Sequence, residues 1–61
     1  MNHYSEEELK EAIRSIESTI SKCEKVLPKL KQGSSQQTLL VRRIKAFQIA
    51  LSLIKEELDN K

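Results

Sequence analysis

The residues in this chain that could do chemistry lack the partners that chemistry needs. Cys23 is the single cysteine and His3 the single histidine. A thiol acts as a nucleophile or metal ligand only as the thiolate, which a neighbouring histidine or other positive group must favour. Cys23 has no histidine near it in sequence. It stands at helical spacing from Ile20 and Leu27, where a small buried hydrophobe fits. His3 precedes the first helix, in a terminal stretch expected to fray. The carboxylates of Glu6, Glu7 and Glu8, and of Glu56 and Glu57, would need a pocket between them to act as a catalytic pair. A thin helical protein offers little room for one, so they read as helix-dipole partners and solvated faces. Ser34, Ser35 and Thr38 are turn and cap residues without a glycine-rich phosphate loop. A structural zinc needs four ligands from a supply that here holds one thiol and one imidazole. The reading assigns no catalytic residue, no cofactor and no metal site, and expects a non-enzyme.

The elements that would position these groups are helices. The chain holds one proline, one glycine and two aromatic residues, Tyr4 and Phe47. That composition is poor for strands and good for helices. Ser5 followed by Glu8 has the spacing of a capping box, with Tyr4 and Leu9 placed as a hydrophobic staple. From there Leu9, Ile13, Ile16, Ile20, Cys23, Leu27 and Leu30 alternate steps of four and three, a heptad seam that Ala12 and Val26 widen. Pro28 is expected to kink this helix without stopping it, because the seam runs on to Leu30. Gly33 fits the left-handed position after a helix. Ser34 and Gln37 then repeat the capping-box spacing, with Ser35 an alternative cap. A second seam follows: Leu40, Ile44, Phe47, Leu51, Ile54 and Leu58. The expected fold is all-α: one domain over residues 1–61, with a first helix over about 5–31, a loop over about 32–34 and a second helix over about 35–58. The short loop makes the helices antiparallel neighbours.

Two helices are too few to cover the second one. On a helical wheel its seam is flanked by another apolar stripe, Leu39, Ala46, Ile49, Ala50 and Leu53, and the two together span roughly 220°. The first helix has an apolar arc of roughly 140°, enough for one neighbour. For 7.0 kDa, folding buries about 6,000 Å². If somewhat over half of that is apolar, the gain is roughly 90 kcal/mol, and ordering the chain costs about the same. A lone hairpin buries less than a compact globule, and one cysteine cannot supply a disulfide. The stripe therefore reads as the interface of a homodimer closing into a four-helix bundle. A looser core edge in a monomer and a different protein as the cover are the alternatives.

Charge is unevenly spread. Residues 22–45 hold seven basic residues against Glu24, a net +6, while residues 1–21 hold two basic and five acidic residues, a net −3. The loop end of the hairpin is thus basic and the open end acidic. Lys29, Lys31, Arg42 and Arg43 could bind an anion such as RNA or DNA, but no aromatic residue in that segment is available to stack on bases. The net charge of the whole chain, +2, demands neither nucleic acid nor a membrane. No apolar run approaches the ~20 residues of a membrane span, and no basic-then-apolar leader is present, so the expected compartment is the cytoplasm.

The segments Lys22-Cys23-Glu24-Lys25, Gly33-Ser34-Ser35-Gln36, Arg43-Ile44-Lys45-Ala46 and Leu53-Ile54 resemble a group of small, uncharacterised helical-hairpin proteins of Gram-positive bacteria (Firmicutes). The likeness covers most of the chain and implies the fold without implying an activity. Two other groups share only the architecture. Plasmid-borne RNA-binding hairpins dimerise into four-helix bundles, and nothing here matches them beyond the heptads. The small aspartyl phosphatases of the sporulation phosphorelay open their second helix with a Ser-Gln-x-Leu-Asp-like stretch. Here Ser35-Gln36-Gln37-Thr38-Leu39 lacks the acid, which argues against a phosphatase.

Overall fold

A computed structural model describes residues 3–60 as two α-helices, α1 (Glu6–Val26) and α2 (Ser35–Asp59), joined by a 3₁₀ turn (Leu27–Lys29) and a short loop. The helices are antiparallel. Leu9 and Ala12 near the start of α1 share a groove with Ile54 near the end of α2, and Val26 at the end of α1 shares one with Leu39 and Leu40 near the start of α2. The heptad seams meet as expected. Leu9 and Ile44 are buried, at 5% and 9% exposure, and the other seam residues are half-buried.

The start of α1 is closed by the full capping box. The Glu8 backbone N–H donates to Ser5 Oγ at 3.0 Å, and the Ser5 N–H donates to Glu8 Oε1 at 2.9 Å. Hydrogen bonding of the carboxyl to the Ser5 backbone N–H, and secondly to the Ser5 hydroxyl, holds Glu8 below its ordinary 4.5. A carboxyl depressed in the folded state stabilises it above the ordinary value, and that contribution is lost as the pH falls through the depressed one. The acid titration of helicity is therefore expected to flatten in Glu8→Gln, which keeps the accepting oxygen and loses the charge. Circular dichroism between pH 6 and about 2 compares the two chains.

Pro28 does more than kink the first helix. The α-helical ladder ends with the Leu27 N–H donating to the Cys23 carbonyl. Pro28 has no N–H for the Glu24 carbonyl, and its ring crowds that oxygen. The chain tightens into a 3₁₀ turn closed by the Leu30 N–H on the Leu27 carbonyl (3.2 Å), and Leu30 is already extended. The helix expected to reach about residue 31 thus stops at Val26. Gly33 consequently does not follow a helix. It sits at the third position of a β-turn closed by Ser34 N–H to the Lys31 carbonyl (3.1 Å), with φ +80, where only glycine is unstrained. A Cβ there would meet nothing within 4 Å. Gly33→Ala should cost only the backbone strain, about 1 kcal/mol, read as a shift in the urea midpoint.

That turn also breaks the second capping box. Ser34 caps α2 by accepting from the Gln37 N–H at 3.2 Å, but its own N–H is spent on the turn. The Gln37 side chain reaches one residue further back and accepts from the Gly33 N–H at 2.7 Å. The entry into α2 is therefore tied to the turn before it.

Candidate interaction surface

The hairpin is a thin rod with little core. Its extents are 42 × 18 × 15 Å and its radius of gyration is 14.0 Å, against roughly 10.5 Å for a compact chain of this length. Its accessible surface is 5057 Å², where a compact monomer of 7.0 kDa would expose about 4,000 Å². The surplus, on the order of 1,000 Å², is comparable to what one partner contributes to a standard protein interface.

Much of the excess apolar surface is on α2. Leu39, Ile49 and Leu53 are 51%, 52% and 61% exposed, Ala46 is exposed, and Ala50 is half-buried. These are the five residues of the second stripe. α1 leaves them open because it lies on the Ile44 side of α2.

Grooves between the helices among the described residues divide the hairpin into two unlike flanks. On one flank, near the loop, Val26, Leu30, Leu39 and Leu40 line a groove of about 310 Å³ edged by Arg43 and Gln36. Towards the open end, Tyr4, Leu9, Ala12 and Ile54 floor a groove of about 600 Å³, and Glu7, Glu8 and Glu11 stand along it. Between the two, α2 presents Ala46, Ala50 and Leu53, since Leu39, Arg43, Ala46, Ala50, Leu53 and Glu57 form one run of alternating steps of four and three. α1 presents small residues there, Ser15 and Thr19, the latter's hydroxyl donating to the Ser15 carbonyl at 2.9 Å. The opposite flank is polar apart from Val41. Its groove of about 230 Å³ is edged by Glu24, Lys45 and Gln48, and Lys55 pairs with Glu17 across the helices at 3.6 Å.

The four proposed anion-binding residues are all exposed, and they occupy different settings. Lys29 is in the 3₁₀ turn, Lys31 is in the loop, and Arg42 and Arg43 are neighbours on α2, roughly 100° apart around it. Only Arg43 edges a groove. Among the described residues, the ion pairs are Lys10–Glu6, Arg14–Glu11 and Lys55–Glu17, so no basic residue between 22 and 45 is paired with another described residue. Cys23 is half-buried in the seam. His3 is exposed ahead of the cap.

Sequence reasoning found the α2 stripe from its periodicity. It did not find the two grooves of the apolar flank or the part that Tyr4, Val26 and Leu30 take in them, because a wheel drawn for one helix does not show which residues of the other come alongside. Placing the two seams face to face and reading outward would have brought Ala12 and Val26 to the same flank as Leu39 and Ala50. In comparison with known proteins, no family model, no curated protein and no solved structure matches this chain.

Proposed function

We propose that this chain is a non-enzymatic self-association module of the cytoplasm: a hairpin that pairs with a second copy into a four-helix bundle and serves as an interaction or adaptor unit. The observation that carries this reading is the α2 stripe, whose Leu39, Ile49 and Leu53 stay more than half exposed beside a surplus of about 1,000 Å² of surface. Apolar exposure of that kind is rare on a monomer and common at an interface. No helix among the described residues is long and apolar enough to cross a membrane, so a second protein surface is the natural cover. Sedimentation equilibrium at micromolar concentration should return twice the 7.0 kDa chain mass. A single species at 7.0 kDa across the concentration range would refute the proposal.

The second reading is a nucleic-acid-binding dimer using Lys29, Lys31, Arg42 and Arg43, favoured by the basic residues left unpaired between 22 and 45. Retention on RNA or DNA that falls steeply with salt would support it. A small phosphorelay-type phosphatase is a distant third reading, since Leu39 stands where that activity would call for an acid.

A further inference from the structure

The exposed stripe says that a partner is needed without saying which way round it lies. We infer that the second copy packs on the flank holding Val26, Leu39, Ala46, Ala50 and Ile54 with its loop pointing the opposite way, so that the basic loop-end groove of each chain closes on the acidic open-end groove of the other. This rests on the self-association proposed above.

Shape comes first. The two grooves lie on one flank at opposite ends of a 42 Å rod, with Ala46, Ala50 and Leu53 of the α2 stripe between them. A two-fold axis across the rod near Ala50 exchanges the ends. It lays α2 antiparallel on α2 and α1 antiparallel on α1, and the alanines let the α2 backbones approach. A two-fold axis along the rod would instead stack loop on loop.

Charge then separates the two arrangements. The loop ends carry +6 over residues 22–45, and the open ends −3 over residues 1–21. Loop-on-loop packing sets the two +6 ends side by side. Loop-on-terminus packing brings Lys22, Lys25 and Lys29 of one chain towards Glu7, Glu8 and Glu11 of the other. Like charges brought together select against an orientation as firmly as opposite charges select for one.

One pair makes this specific. Arg43 and Glu57 are the charged members of the outer α2 run, each seven residues from Ala50. In the antiparallel dimer each Arg43 comes within about one helical turn of the other chain's Glu57, twice over by symmetry. Within one chain the two are fourteen residues apart on a single helix, about 21 Å, and cannot meet. Any energetic coupling between them is therefore between chains.

The test uses the full chain. Arg43→Glu should weaken the dimer at least about tenfold by sedimentation, and adding Glu57→Arg should restore most of the loss. In parallel, a spin label at Gln32→Cys with Cys23→Ala reports the loop-to-loop distance. Opposed loops give a separation approaching the 42 Å length of the rod, whereas adjacent loops give under about 20 Å, two helix spacings. A dimer with the short distance, or an Arg43→Glu loss that Glu57→Arg leaves uncorrected, overturns the orientation while self-association stands. A monomeric wild type overturns both.

Discussion

Replacing Leu53 with aspartate should turn the proposed dimer into a monomer. Leu53 is 61% exposed on the isolated hairpin, so the change removes little packing within one chain. In the dimer it would set an unpaired carboxylate into the apolar centre of the interface, once from each chain. A buried charge without a partner costs about 3–5 kcal/mol, which is roughly two to four decades in the dissociation constant. Sedimentation at micromolar concentration should fall from twice 7.0 kDa to the single-chain mass. Thermal unfolding should lose its dependence on protein concentration, since only an associating fold is stabilised by mass action. Lys45→Asp provides the contrast. Lys45 lies on the polar flank beside Glu24 and Gln48, so its loss should leave the mass unchanged. If Leu53→Asp left the chain dimeric, the α2 stripe would not be the interface.

The second large effect concerns the seam. Ile44 is one of two buried side chains among the described residues, at 9% exposure, and truncating it to alanine leaves a cavity that a two-helix packing cannot close. Such truncations cost about 2–5 kcal/mol. A chain of 61 residues has a total stability of roughly 3–9 kcal/mol. Ile44→Ala is therefore expected to remove a large part of the folding free energy, seen as a collapse of the urea midpoint and of helicity at 25 °C. Val41, also a β-branched residue of α2, is 48% exposed, and Val41→Ala should cost less than about 1 kcal/mol. Equal effects at the two positions would mean that the seam is not the core.

The two variants separate the faces of α2. Ile44→Ala attacks the contact with α1, which exists within one chain. Leu53→Asp attacks only what lies outside it. Arg43 and Glu57 then ask which end of the partner arrives. Each step reads a different face of one helix.

Much of this protein was determined by sequence alone, because its signals are local. Helical periodicity places Leu9 to Leu27 and Leu40 to Leu58 on two seams, and a seam has one way to be buried. The Ser5–Glu8 box is complete within four residues and needs nothing from the rest of the chain. The uneven spread of charge, basic over 22–45 and acidic over 1–21, is also visible along the string. What tertiary structure decided depends on neighbours distant in sequence or on competition for one hydrogen bond. The first helix stops at Val26 because a proline without an N–H defeats a continuing apolar pattern, and periodicity does not weigh the one against the other. Gln37 reaches Gly33 because the Ser34 N–H is already taken by the turn. The apolar flank exists only once antiparallel packing sets Ala12 beside Ile54 and Val26 beside Leu39, residues whose proximity no single-helix pattern encodes.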